Sequence, residues 1–285
     1  MTRIAAKPRA TGRPAGAAAK AGKTIRRGRR ETGRVAVLDR AAALLVGLAQ
    51  LPRPASLNEA AQQAGLSKAT AFRILATLAD QGLVEQDEAT ASYRLGIAPL
   101  KMATAVLDSI AVAAMARPVM RAISELLNET VVLSVRDGDN RVNIDAVECT
   151  NAIGSSRRIG EPRPLHAGAP SRIWLASLSD EDIEAYIKRQ RLATKRGNGG
   201  PAYVEALWKD VRKARRTGLA SMQAEISPES HAVATVIRDG RGAAVAGLHV
   251  AIPRGRLSPR IEARCGQALL RAAAEISRAL PTGNG

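Results

Sequence analysis

The 285-residue sequence predicts an α+β protein of two domains, a small winged helix-turn-helix followed by a larger mixed α/β domain. Three observations carry that prediction. Between residues 38 and 81, apolar side chains recur at three- and four-residue steps in three short runs separated by turn signals. Two extended runs around a polar loop follow at once, at 83–96, and read as a hairpin. Beyond residue 130, stretches rich in Val, Ile and Ala with strand character alternate with longer helical periodicities.

The first helix is predicted from Leu38, Ala41, Ala42, Leu45, Leu48 and Ala49, and it stops at Leu51-Pro52-Arg53-Pro54. Ser56 followed three residues later by Glu59 forms a capping box for a second helix, whose inward face is Leu57, Ala60, Ala61 and Ala64. Gly65 then reverses the chain, Leu66 plugs the angle, and Ser67 caps a third helix over about 67–81. Two short helices joined by so tight a turn make a helix-turn-helix. The third helix buries Ala71, Ile74, Leu75 and Leu78, leaving Ala69, Arg73 and Ala76 outward, flanked by Thr70, Phe72 and Thr77. Such a face suits a DNA groove. Small residues permit close approach, while Ser67, Lys68, Thr70 and Arg73 supply polar contacts from the first turns, where the helix dipole also attracts phosphate. Phe72 can reach a thymine methyl or pack at the rim, and Arg94 in the hairpin wing is the expected phosphate contact there.

Charge qualifies this reading. The chain carries +17 overall, but residues 1–34 hold 11 Lys and Arg against the single Glu31. The segment 1–33 is rich in Ala, Gly, Pro and Arg and poor in large hydrophobes, and is expected to be a disordered basic tail. It is either a solubilising extension or an arm adding salt-sensitive phosphate attraction. Residues 35–100, by contrast, sum to −1, so a single copy of the helix-turn-helix would bind DNA poorly and a dimer on a near-palindromic site is expected. A three-helix core that binds protein remains the alternative.

The stretch SLNEAAQQAGLSKATAFRILATLADQGLVEQDEATASYRLG, residues 56–96, resembles the DNA-binding signature of the IclR family of bacterial regulators. Gly160, Pro164-Leu165-His166-Ala167-Gly168-Ala169 and Ser171-Arg172 resemble the family motif that lines the effector pocket, and Gly218-Leu219-Ala220, Glu225 and 232–238 resemble a further family segment. The resemblance implies a winged helix-turn-helix over 34–97, a linker helix over 98–114, and a GAF-like effector-binding domain over 115–281. It also implies dimers, often paired into tetramers. Where family members that sense small oxo or hydroxy acids carry Asp, Cys and strand Ser, this chain has Met222, Ala232, and His249 with Ala251. The effector is then either larger and more apolar, such as an aromatic acid, or is held by a different polar set of Glu225, His249 and Ser171. His166 precedes a helix whose N–H groups at Ala167, Gly168 and Ala169 could hold an anion.

Read without the resemblance, residues 97–127 suggest two helices, the second interrupted by Pro118. Strands are expected near 131–135, 142–147, 219–224, 231–238 and 244–251, and helices near 168–178, 180–190, 201–217 and 258–280. Asp137-Gly138-Asp139-Asn140 and Arg238-Asp239-Gly240-Arg241-Gly242 read as hairpin turns, the latter with Asp-Gly supplying positive φ. Hydrophobic residues at 46 % with aromatics at 2 % call for cores of Ala, Val, Leu and Ile. Cys149 and Cys265 form no CxxC or Cys/His cluster, and His166, His231 and His249 have no metal-ligand spacing, so no metal or cofactor is expected. A lone histidine is more often structural than a ligand. No nucleophile elbow or phosphate loop points to an enzyme. Residues 101–285 carry 27 basic and 19 acidic side chains, and Arg157, Arg158, Arg163 and Arg172 would favour an anionic effector, or else be solvated surface charges.

The expected protein is a cytoplasmic DNA-binding regulator, without a membrane segment, that binds duplex DNA and a small-molecule effector such as an organic acid. Repression is favoured over activation as its sign. A non-specific DNA-organising protein and an enzyme on a sensor fold stand as the alternatives.

Overall fold

The computed structural model describes residues 35–149, 159–194, 199–223 and 229–280; the expected basic tail over 1–33 lies outside them. The chain forms two compact units that divide between Ile97 and Ala98.

In the first unit, α1 (Ala36–Gln50), α2 (Leu57–Ala64) and α3 (Lys68–Asp80) are followed by the hairpin β1 (Val84–Gln86) and β2 (Tyr93–Leu95). The expected caps are in place. Ser56 Oγ accepts from the Glu59 N–H while Glu59 returns to the Ser56 N–H at 2.9 Å, a box whose loss typically costs about 1 kcal/mol. Gly65 ends α2 at φ 67°, a left-handed conformation that favours glycine. Leu44, Leu48, Ala60, Ala61, Ala71, Leu75 and Leu78 form the core between the helices, closed by Val84 and Tyr93 from the wing. Ala55 pairs with Tyr93 as an isolated bridge and ties the wing to the start of α2.

The second unit begins with α4 (Ala98–Ser109) and α5 (Ala111–Leu127), which meet at an 84° bend. Its sheet contains β3 (Thr130–Asp137), β4 (Asn140–Val147), β5 (Pro162–Pro164), β6 (Ala220–Gln223), β7 (Ser230–Arg238) and β8 (Ala244–Pro253), in the order β5-β4-β3-β8-β7-β6 and antiparallel throughout. One face packs on α5 and on α9 (Pro259–Ala279) through Val131, Leu133, Val233, Leu248, Val250, Met120 and Leu269. The other face meets α6 (Ala169–Ala176) and, at β6, α8 (Pro201–Thr217), with Leu165, Ile173, Trp174, Leu207, Ala232 and Ala234 in a core that α7 (Asp180–Arg189) completes. Period-two alternation along β7 and β8 sends their side chains to opposite layers.

Three local expectations are corrected. Pro118 does not interrupt its helix; α5 runs through it, and the break lies at Ile110 instead. Pro118 is on the solvent face, so the carbonyl deprived of its intrahelical donor can be hydrated, while Val112, Ala116, Met120 and Ile123 hold the opposite face in the core. In the turn after β7, positive φ falls on Gly242 at 82° rather than on Gly240, because Asp239 Oδ1 accepts from the N–H groups of both Arg241 and Ala243 and wraps the loop round itself. The short edge strand β5 was not expected; its two prolines fit an edge, where a missing N–H breaks no ladder. Among the described residues no single helix is long and apolar enough to cross a membrane, and no group of three His, Cys, Asp or Glu is placed to hold a metal ion.

Candidate nucleic-acid interface and sensor site

Helix α3 presents the face that its periodicity predicts. Ala71, Ile74, Leu75 and Leu78 are buried, whereas Ser67, Lys68, Ala69, Phe72, Arg73 and Thr77 are exposed and Thr70 is half-buried. Ser67 Oγ caps the helix by accepting from the Thr70 N–H at 3.3 Å, and the two hydroxyls lie 2.9 Å apart, which fixes the Thr70 side chain in the first turn. Thr77 spends its hydroxyl proton on the Arg73 carbonyl at 3.1 Å, leaving its oxygen as an acceptor. Phe72 is 52 % exposed, so its ring is not part of the core and lies ready for an apolar contact.

The cations of this unit divide into two kinds. Arg53 is paired with Glu59 at 2.6 Å, and Arg94 is paired with Glu85 across the wing at 2.8 Å. No such pair holds Arg40, Lys68 or Arg73 among the described residues. Arg94, the phosphate contact expected in the wing, lies opposite Glu85 on β1 and shares its exposed guanidinium with that carboxylate. A groove of about 590 Å³ runs between α1 and α3, lined by Val37, Leu38 and Arg40 on one side and Ala69, Thr70, Arg73 and Thr77 on the other. The start of α1 thus lies beside the exposed face of α3.

In the second unit the register brings most of the expected sensor residues to one sheet face. Met222, Ala232 and Ala251 are successive neighbours across β6, β7 and β8, and His249 lies two residues along on the same side, beside Ala234 and Val132. Ala232, Ala251 and His249 are buried and Met222 is half-buried. Glu225 and the arginines Arg157 and Arg158 lie outside the described residues. This is the face against α6. Ser171, fully buried in α6, accepts from Arg141 Nε at 2.9 Å, and the same guanidinium bonds Asn143 Oδ1.

His166 is pinned from several directions. Its Nδ1 is 2.6 Å from the Tyr186 hydroxyl, and its carbonyl accepts from Tyr203 Oη at 3.1 Å and Arg172 Nε at 3.2 Å. Burial pushes the Tyr186 hydroxyl above its usual range, so it serves as a neutral partner. The anion cradle expected at Ala167, Gly168 and Ala169 is narrowed, because the Ala167 N–H is already given to the Pro164 carbonyl at 3.0 Å and Pro170 has no N–H. Arg172 is neither a solvated surface charge nor displayed to a ligand: it is buried, ion-paired to Asp210 and stacked 5.6 Å from the Tyr203 ring centroid. Arg163 is paired with Glu161 at 2.9 Å.

Sequence reasoning missed Arg141, Asn143 and Trp174. Polar residues at alternate strand positions normally face water, which disguised Arg141 and Asn143 as an outer face. Trp174 crosses the sheet at Gly247, where an added Cβ would lie 2.7 Å from its Nε1 and 2.8 Å from Ser134 Oγ. Had the bare Gly247 within an apolar strand been weighed, it would have signalled that close approach.

Comparison with known proteins agrees with this division. Residues 37–88 match the IclR helix-turn-helix domain, and residues 104–278 match the bacterial transcriptional regulator IclR C-terminal family. The chain is 29 % identical over 257 residues to the acetate operon repressor of Salmonella typhimurium, covering 87 % of this chain and 91 % of that protein. It is 28 % identical over 257 residues to the transcriptional repressor IclR of Escherichia coli, with the same coverage. The IclR structure from Thermotoga maritima superposes with a TM-score of 0.68 at 25 % identity, over 87 % of this chain and 99 % of that one. An IclR homologue from Microbacterium hydrocarbonoxydans, complexed with 4-hydroxybenzoate, shares the fold with a TM-score of 0.72 at 20 % identity, over 86 % of this chain and all of that one. These are transcription factors and not enzymes. The chain is a DNA-binding regulator with an effector-binding C-terminal domain, and it belongs to the IclR family of bacterial transcriptional regulators.

Proposed function

We propose that this protein represses transcription by seating α3 in the major groove of a near-palindromic operator, and that an organic acid bound in the GAF-like second unit changes its affinity for that operator. The observation that carries the reading is the exposed α3 face, where Lys68 and Arg73 stand without ion pairs among the described residues, beside Ala69 and the oriented hydroxyl of Thr70. Lys68 and Arg73 would contact phosphates or guanine edges, Ala69 would permit close approach, and Phe72 would meet a thymine methyl. Arg94 would join only where a phosphate displaces Glu85. Repression as the sign is supported by the names of the two repressors to which the chain is similar over most of its length.

Self-association as a dimer or tetramer supplies the two reading heads that a near-palindrome requires. Helix α4 buries none of its residues and exposes Leu100, Met102 and Val106, an apolar surface suited to a second copy. On this reading α4 is the linker helix, and the effector lies over Met222, Ala232, His249 and Ala251 against Ser171 and Arg141. The buried alanines favour an acid with an apolar body, such as an aromatic acid. Differential affinity of the acid for two arrangements of the dimer would shift operator binding.

Footprinting on the promoters flanking the protein's own gene, with and without the metabolites handled by neighbouring enzymes, tests this. A discrete protected site that responds to one acid is expected; uniform protection would favour a DNA-organising protein instead. Arg73→Ala should lose the discrete site while the oligomer persists, and unchanged operator affinity would overturn the assigned face.

A further inference from the structure

The groove between α1 and α3 carries a cation on each wall, Arg40 from α1 and Arg73 from α3, with Thr70 and Thr77 beside Arg73 and no carboxylate among the lining residues. Both guanidinium groups are exposed, and no ion pair holds either one among the described residues. Between the cations the lining is apolar, through Val37, Leu38 and Ala69. Val37 and Leu38 leave 52 % and 65 % of their surface in water, so the fold itself makes little use of them. The wing has the opposite character. Its single cation Arg94 shares a guanidinium with Glu85, and Asp87 and Glu88 follow at its tip. Asp87 is held there by the N–H and the hydroxyl of Thr90, both at 2.8 Å.

A duplex backbone offers phosphates, about one negative charge per 1.7 Å of axis, and between them the apolar faces of its sugars. We infer that the groove between α1 and α3 seats one sugar-phosphate strand of the duplex, with Arg40 as a phosphate contact from α1 that takes the place of a contact from the wing. Charge argues for this occupant. A second copy seated groove to groove would bring Arg40 and Arg73 against the same pair, with no lining carboxylate to neutralise them. The acids of the wing, for their part, repel a phosphate that approaches them. Phosphate contacts position a protein and base contacts give it selectivity, so Arg40 would fix from α1 how α3 lies against the bases. The inference rests on the reading of α3 as the DNA-facing helix.

The test compares the full chain with Arg40→Gln, Arg40→Lys and Arg94→Gln, on the footprinted operator and on a random-sequence duplex, by fluorescence anisotropy over a potassium chloride series. Arg40→Gln should weaken binding to both duplexes by the same factor, about three- to fivefold for each chain bound. Its plot of log K against log salt should become shallower by about 0.9 for each phosphate no longer neutralised. Arg40→Lys keeps the charge and should restore the slope, and Arg94→Gln should change it less than Arg40→Gln does. An unchanged slope and affinity in Arg40→Gln, or a loss confined to one sequence, would overturn the inference. A larger loss in Arg94→Gln would return the contact to the wing, and altered sedimentation of Arg40→Gln without DNA would give the groove to a second copy; either result also overturns it. Failure of the underlying reading looks different: Arg73→Ala would then leave operator affinity intact, whereas Arg40→Gln is also read on DNA that contains no operator.

Discussion

Arg94 donates to both oxygens of Glu85 across the wing, from Nε at 3.1 Å and from a terminal nitrogen at 2.8 Å. This pairing holds the Glu85 carboxyl below its ordinary range and commits the wing's guanidinium to a carboxylate. Glu85→Gln should release Arg94, tightening binding to random duplex and steepening the salt slope by about one unit per chain. Arg94→Ala should do little to that slope. The reverse ranking of the two variants in a fluorescence-anisotropy salt series would show that Arg94 reaches phosphate in spite of Glu85.

Glu59 predicts an acid sensitivity. Its carboxyl is held down from an ordinary 4.5 to about 2, chiefly by the Arg53 guanidinium and then by the Ser56 N–H and hydroxyl. A depressed carboxyl contributes stability that is complete above its unfolded value and is lost as pH falls through the folded one. Wild type should therefore be more stable than Glu59→Gln above pH 4.5, with the gap closing as pH approaches about 2. Thermal melts across that interval check it. Ser56→Ala should cost about 1 kcal/mol at neutral pH by removing the cap.

Gly247→Ala should destabilise the second unit by about 1–3 kcal/mol, because the new methyl meets the Trp174 indole and the Ser134 hydroxyl inside a central strand that cannot step aside. Trp174 emission, excited at 295 nm and read beside that of Trp208, the chain's other tryptophan, should shift to the red as the indole is expelled. Adding Trp174→Phe should recover part of the stability. Unchanged emission and melting would show that the sheet yields at this point.

Asp210→Ala strands the buried Arg172 guanidinium. Breaking a buried pair costs about 3–5 kcal/mol; the lower end is expected here because the Asp210 side chain is 34 % exposed. Arg172 also orders the His166 carbonyl, so the loss should appear in urea unfolding of the second unit and in weakened effector response together. A loss of response with unchanged stability would assign Asp210 to the ligand instead.

The first unit was legible because its signals are local. Ser56 with Glu59, Gly65 and Ser67 each specify one cap or turn within a few residues, and no distant contact overrides them. The second unit was legible in its elements but less so in its site. Whether Arg172 faces solvent is decided by Asp210 on another helix, and Arg94 by Glu85 across a hairpin; neither pairing leaves a mark within one window of sequence. Pro118 illustrates the same limit from the other side, since a helix can tolerate proline where its unpaired carbonyl faces water and its far side is gripped by core. The rows Met222, Ala232, Ala251 and Ala220, Ala234, His249 follow from strand register, which alternation suggests but only pairing fixes.

The sheet order bears on how the protein is made. Strand β8, late in the sequence, lies between β3 and β7, and α9 behind it closes the layer against α5. Until Ala244–Pro253 has left the ribosome, β3 and β7 have nothing between them, and the sheet is two separate pieces. The three helices and wing of the first unit are complete by Ile97 and can fold while synthesis continues. A chain truncated before β8 would thus keep its three-helix module whole while the second unit lacked the strand that joins the two halves of its sheet.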